Sequence, residues 1–266
     1  MKKSASYPLF PIFGEYAFEH LPISLGMIGN QTPRVRLGGA CSGFRKVTRR
    51  QQLNLMNEPI CVLTGDIVRS TRLSKRDLEK LMQALGEAAG GIRHWISPPG
   101  PRLERFRGDS WQLALTRPRF ALRAALILRA SVRMHSQDAD TRIGIGVGSA
   151  ELEASLASSS GSAFQHSGKM LEQIKGPDRW AFHAEDTDAQ VLDLTRALFT
   201  ACEGWSRRWT VKQAETVFHL LQPDEPRMAD VAERLDVRPQ TIQGHFSKAG
   251  GRALLHVVHL YESSGG

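Results

Sequence analysis

Cysteine is scarce in this chain of 266 residues: Cys41, Cys61 and Cys202 stand far apart and in no paired spacing. That excludes a disulfide framework and a cysteine-ligated zinc site, and the three read as reduced, structural thiols. Metal-binding histidine spacing is missing as well, since the nine histidines include no His-x-x-x-His or His-Glu-x-x-His. No apolar run approaches the roughly 20 residues of a membrane span. Met1-Lys2-Lys3 leads into a segment interrupted by Pro8, Pro11 and Glu15 rather than into a signal-peptide core, so a cytoplasmic protein with no membrane partner is expected. With 41% hydrophobic and 23% charged residues, the composition excludes wholesale disorder and a fibrous repeat.

The formal charge of +8 points to acidic partners only until it is divided along the chain. Residues 1–55 hold 8 basic and 2 acidic side chains, 56–190 hold 18 and 16, and 191–266 hold 9 and 9. The basic excess therefore belongs to a Gly-, Pro- and Ser-rich N-terminal segment with Arg45-Lys46 and Arg49-Arg50 near its end and no period of 2 or 3.6. Residues 1–56 are expected to be a disordered extension; a nucleic-acid-binding arm and a natural start at Met56 are the alternatives.

The first clean element is Ile60-Cys61-Val62-Leu63, an apolar run ending at Thr64-Gly65-Asp66, which suits a buried strand with a polar C-terminal edge. Ser74 then caps a helix with Leu78, Leu81, Met82 and Leu85 at helical spacing, and Gly90-Gly91 is expected to end it, with a short second helix over Ile92–Ile96. After the Pro98-Pro99-Gly100-Pro101 break, Leu103–Arg107 and Ser110–Leu115 read as a hairpin around Gly108-Asp109. Phe120–Met134 is an amphipathic helix with Arg123, Arg129 and Arg133 as its polar positions. Arg142–Gly148 is a strand, Ser155–Ser160 a weak strand or loop, Ser162–Ile174 a helix and Trp180–Ala184 a last strand. Hairpins mixed with helical crossovers predict an α+β domain over 57–188, an antiparallel sheet with helices on one face.

From Ala189 the pattern is helical: a connecting helix over 189–204, then an all-α unit over 205–262. Met228–Leu235, the turn Asp236-Val237-Arg238 and a helix opened by Pro239 have helix–turn–helix spacing. Val231, Leu235, Val237 and Ile242 are the apolar positions expected to lock the pair. Gln240, Thr241, Gln243 and His245 are left on the outer face, where they could read base edges, while Arg238, Lys248 and Arg252 supply phosphate contacts. Trp205, Arg207, Arg208 and Trp209 lie just upstream, placed to brace the module or contact the backbone.

Three segments carry a joint pattern: Leu63–Thr71 with Asp66-Ile67-Val68-Arg69-Ser70-Thr71, then Phe106-Arg107-Gly108-Asp109-Ser110-Trp111, then Arg142-Ile143-Gly144-Ile145-Gly146. Pairing the first strand with the hairpin would bring Asp66 and Asp109 to one sheet edge. The pattern resembles the homology domain of class III nucleotidyl cyclases, a ferredoxin-like fold. The resemblance implies that Asp66, Asp109 and the carbonyl of Ile67 hold two divalent ions, Mg²⁺ or Mn²⁺, that activate a ribose hydroxyl and neutralise a triphosphate. It implies a nucleotide lying over Ser70 and Thr71, with Arg105 at the base-selecting position. Gln165 and Lys169 fall where the family carries an Asn and an Arg that act from the opposing subunit of a homodimer. Both replacements keep the spacing of four, but Lys lacks the planar fork of Arg.

Joined with the shortened stretch before Gly161-Ser162-Ala163-Phe164 and the C-terminal helix–turn–helix, the pattern resembles the SatD family of bacterial proteins over roughly 60–250. That implies a regulator with a cyclase-like domain fused to a DNA-binding module, and a nucleotidyl cyclase, a phosphorus–oxygen lyase, is the alternative. Blander readings stand beside these: Asp66 as a strand-end cap, Asp109 as a turn residue, and the helical unit as a packing or dimerisation device. Gly144, Gly146 and Gly148 lie inside a strand, so close backbone packing explains them better than a dinucleotide loop. Gly168-Lys169-Met170 lacks the Ser or Thr of a phosphate loop.

Overall fold

The computed structural model describes residues 58–95, 103–106 and 108–265. The expected extension over 1–56, Cys41, the Pro98-Pro99-Gly100-Pro101 break and Arg107 lie outside the described residues. Five strands, β1 Ile60–Ile67, β2 Glu104–Arg105, β3 Ser110–Leu115, β4 Thr141–Gly148 and β5 Trp180–Ala184, form one sheet in the order β2-β3-β1-β4-β5. The α-helices among the described residues are α1 Lys75–Arg93, α2 Ala121–Arg133, α3 Ser162–Gln173, α4 Ala189–Ser206, α5 Val211–Leu220, α6 Met228–Arg234, α7 Pro239–Lys248 and α8 Gly251–Ser263. The chain is thus α+β, with helices alone after β5.

The central β1 is antiparallel to both β3 and β4, but β5 is parallel to β4, so the sheet is mixed rather than wholly antiparallel. The cause is the crossover through α3, which returns the chain in its starting direction. The expectation of helices on one face is also corrected. Cys61, Leu63, Leu113, Ile143 and Ile145 face a core shared with α1 and α2, whereas α3 covers the opposite face. The glycines of β4 decide this. A Cβ at Gly144 would lie 2.2 Å from the Ser167 carbonyl oxygen, and one at Gly146 would lie 2.4 Å from the Ser167 nitrogen. With every second side chain removed, the backbone of α3 sits directly on the strand.

Ser74 caps α1 as expected, its hydroxyl accepting from the Asp77 backbone nitrogen at 3.1 Å. Gly90-Gly91 does not end the helix, which runs on to Arg93 and absorbs the start of the expected second helix. Ala88, Ala89 and Ile92 are buried in the core, and that burial outweighs about 1 kcal/mol of helix propensity per glycine.

The largest departure is in α2. Every one of its residues is buried, including Arg123, Arg129 and Arg133, so the expected polar face is not a solvent face. Arg123 is bidentate to Glu262 of α8 at 2.6 and 2.7 Å and donates to the Leu221 carbonyl at 2.8 Å. Arg129 donates to Asp140 at 2.6 Å and to the Glu203 carboxylate, the Glu203 carbonyl and the Ser206 hydroxyl, each at 3.0 Å. Arg133 donates to the Trp209 carbonyl at 2.9 Å. The polar side of α2 is therefore covered by α4 and the helices after it, and one apolar cluster runs from Leu63 and Ile145 through Leu126 to Val217, Ile242 and Leu254.

Cys61 and Cys202 are free and buried. Burial raises both thiols, Cys202 to about 12, which keeps them protonated and inert. Among the described residues no helix is long and apolar enough to cross a membrane.

Candidate functional site

The end of β1 is built by its two neighbours. Asp66 lies opposite Ser110 of β3 and Arg142 of β4, so Asp109 is one residue beyond its cross-strand partner, at the same end of the sheet. Gly65 leaves room for the Trp111 ring, which a Cβ would meet at 2.3 Å. The Trp111 indole donates to the Thr141 hydroxyl at 3.1 Å, and that hydroxyl donates to the Asp66 carbonyl at 2.7 Å. On the other face, Thr64 and Ser167 share a hydrogen bond of 2.8 Å, and Gln112 donates to Thr64 at 2.9 Å, which fixes α3 to the same strand. Ile67 is buried and closes β1 opposite Thr141.

Arg142 is the residue that the sequence pattern did not flag. Its Nε donates to one Asp66 oxygen at 2.9 Å and its Nη2 to the other. The hydrogen bond to Asp66 raises the guanidinium above its ordinary value, and Asp109 adds to that attraction. Arg142 was readable as the even-numbered neighbour of Gly144 and Gly146, on the same face as Asp66, but only the β1–β4 register brings the two charges together. As arranged, both Asp66 oxygens serve a cation of the chain itself, and no group of three or more metal-ligating side chains gathers among the described residues. This donor set does not fit a two-ion centre while Arg142 is in place. Replacing Arg142 by Ala frees Asp66, and Mn²⁺ affinity is expected to rise by on the order of tenfold in a calorimetric titration. An unchanged titration, or one that Asp66→Asn leaves intact in the Arg142→Ala background, means the carboxylate is not an ion ligand.

After β1, Arg69 adopts a left-handed conformation with φ 56° and starts a short 3₁₀ turn over Ser70–Arg72. Ser70 is half-buried and Thr71 exposed. A cleft of about 470 Å³ opens beside this turn, lined by Arg69, Arg72, Lys80 and His135 but also by Asp77 and Asp138. Ser70 and Thr71 do not line it. Arg105 has a structural engagement: its guanidinium meets both Glu79 oxygens at 2.8 Å and the Gly108 carbonyl at 2.6 Å, tying the hairpin to α1. Gln165 and Lys169 share the exposed side of α3, away from Ser167 and the strand it bonds.

The second candidate surface is on α7. α6 and α7 are joined by a tight turn in which Asp236 takes φ 53° and the Val237 nitrogen donates to the Ala232 carbonyl at 3.0 Å. Pro239 opens α7, where its missing N–H costs nothing. Val231, Ile242 and Phe246 are buried and Leu235 is partly buried, but Val237 is 40% exposed and does not lock the pair. The turn itself, through its backbone bond, does that work. Arg238, Gln240, Thr241, Gln243 and Lys248 are exposed, and His245 is half-buried. Trp209 braces this helix: it is buried, and its indole donates to the Ala249 carbonyl at 3.0 Å. Arg207 is turned instead to Glu203, at 3.0 Å from Nε.

Burial pushes His219 of α5 down to about 4, with Arg234 of α6 adding repulsion and Glu215 opposing it. The unfolded chain then binds this proton more readily than the folded one. The stability contribution is complete above pH 6.5 and is lost as pH falls toward 4, by about 3 kcal/mol. Burial also lowers His135 and His183, so the measurement is the difference in urea unfolding between the protein and His219→Phe. That difference should be constant above pH 7 and shift in the variant's favour on acidification toward pH 4; a pH-independent difference contradicts it.

Compared with known proteins, the chain matches no family model and has no significant match among curated proteins.

Proposed function

We propose that the chain is a bacterial DNA-binding transcriptional regulator in which residues 57–188 form a nucleotide- or metal-responsive, class III cyclase-like domain and residues 205–262 a helix–turn–helix module. The observation that carries this reading is the division of α7 into a buried side, Ile242 and Phe246, and an exposed side bearing Gln240, Thr241 and Gln243 between Arg238 and Lys248. Amide side chains pair with adenine in the major groove, and cations at the two ends of the helix suit the flanking phosphates. The module as a whole is neutral, so Arg238, Lys248 and Arg252 must supply its non-specific affinity. A ferredoxin-like reading of 57–188 is supported by the place of β1 between β3 and β4 and by the crossovers through α1 and α2. Mg²⁺ or Mn²⁺ would reach Asp66 only by displacing Arg142, which is how the domain would respond to metal.

The test is selection of bound sequences from random DNA by the full chain. Enrichment of a defined site is expected, with Gln243→Ala costing about 1–3 kcal/mol at one base position and Lys248→Ala weakening all sequences alike. No enrichment, or binding indifferent to both changes, ends the reading. One observation favours the enzyme alternative: Gln165 and Lys169 lie on the outer side of α3, where a second copy could meet them. Incubation with each common nucleoside triphosphate and Mn²⁺ decides it, and the absence of cyclic product and pyrophosphate from a folded protein excludes a cyclase.

A further inference from the structure

Helix α4 has one side turned to the protein, where Phe199, Cys202, Glu203 and Ser206 are buried. Its other side carries Val191, Leu194, Ala197, Ala201 and Trp205, all exposed. Among the described residues the four most exposed large hydrophobics are Leu194 at 65%, Leu260 at 56%, Val191 at 52% and Trp205 at 43%. All four lie on α4 and α8. The two helices touch, because the Phe199 and Tyr261 rings meet edge to face at 5.5 Å. A single exposed apolar residue is ordinary, but a stripe recurring along an 18-residue helix marks an interaction surface.

The charges at the ends of the stripe select the occupant. Asp193, 74% exposed and paired with Arg196 of its own helix at 3.2 Å, stands near the N-terminal end, and the exposed Arg208 lies just beyond the C-terminal end. Antiparallel pairing of two such helices about a dyad between Thr200 and Ala201 sets Asp193 against the partner's Arg208 at both ends. The same register places Ala197 against the partner's Gly204 at the close approach and Leu194 diagonally against the partner's Trp205. A parallel pair would stack like charges instead. We propose that this face of α4 is an isologous contact between two copies of the chain. It deepens the DNA-binding reading by naming the surface of its homodimer, and it rests on that reading only for the consequence that two α7 helices are presented together.

The experiment is sedimentation velocity of the full chain over a range of micromolar concentrations. A dimer is expected. Leu194→Glu should weaken it by on the order of 100-fold, with circular dichroism and cooperative unfolding unchanged because the position is already exposed. Asp193→Arg and Arg208→Asp should each weaken the dimer, and the double exchange should restore it. A monomeric protein overturns the proposal, as does a monomer whose Trp205 is shielded by residues 1–57. So does a dimer indifferent to Leu194→Glu, one disrupted through Gln165 and Lys169 instead, or a double exchange that restores nothing. A dimer that selects no DNA leaves the interface standing and ends the regulator reading.

Discussion

Arg129→Ala lowers the unfolding free energy by about 3–5 kcal/mol, the range found when one partner of a buried ion pair is removed. Arg129 is fully buried, and its guanidinium serves Asp140 at 2.6 Å and Glu203 at 3.0 Å. Removing it leaves Asp140 with poorer partners and takes from Glu203 one of its two arginines, the two-pronged pairing to Arg207 remaining. Asp140 retains Arg179 at 3.5 Å and Arg133 at 3.8 Å, and Glu203 retains Arg207. Because Asp140 precedes β4 and Glu203 belongs to α4, the loss loosens the sheet from the helices that follow it. Urea unfolding followed by tryptophan fluorescence checks this, and a loss below about 1 kcal/mol would show that the remaining arginines compensate. Arg129→Lys should recover only part of the loss, because an ammonium cannot reach both carboxylates with a planar fork.

Trp209→Ala is expected to cost about 3–5 kcal/mol, as for other large aromatic truncations in a core. Its effect reaches further than packing. The Trp209 carbonyl accepts from Arg133 of α2, while its indole donates to Ala249 at the end of α7. It thus connects the layer under the sheet to the helix that carries Gln243 and Lys248. Trp209→Phe separates the two roles: most of the ring volume stays, the Ala249 carbonyl loses its partner, and the cost falls to about 1–3 kcal/mol. Hydrogen exchange should quicken along α7 in Trp209→Phe while β1 and β4 stay protected. Equal protection of α7 in the variant and the parent protein would remove the indole from any bracing role.

Much of the framework was legible. Ser74 as a cap, the strand expected to stop at Asp66 and found to end at Ile67, the helix expected over Ser162–Ile174 and found over Ser162–Gln173, and the pair of helices around Asp236 all follow from local chemistry, which the chain carries in its order of residues. The misreadings have a common form. Arg123, Arg129 and Arg133 recur at helical spacing, and periodicity reports that a face is polar without saying whether water or carboxylates cover it. Gly90-Gly91 is a stop signal by propensity, overridden by the burial of Ile92. Val237 is apolar and adjacent to the lock, but the backbone bond from its nitrogen leaves its side chain outside.

By itself the sequence determined the alternation of elements and the amphipathic pattern of α7, because each depends on neighbours within one turn or one hairpin; Asp66 and Asp109 reach one end of the sheet only through the pairing of β1 with β3. Only the tertiary structure decided that Arg142 closes on Asp66, that α3 rides on the glycine face of β4, and that the arginines of α2 join the sheet to the C-terminal helices. Those pairings run between residues up to 139 positions apart. Their energy lies in the partner and in the exclusion of water, and a residue's type and spacing record neither.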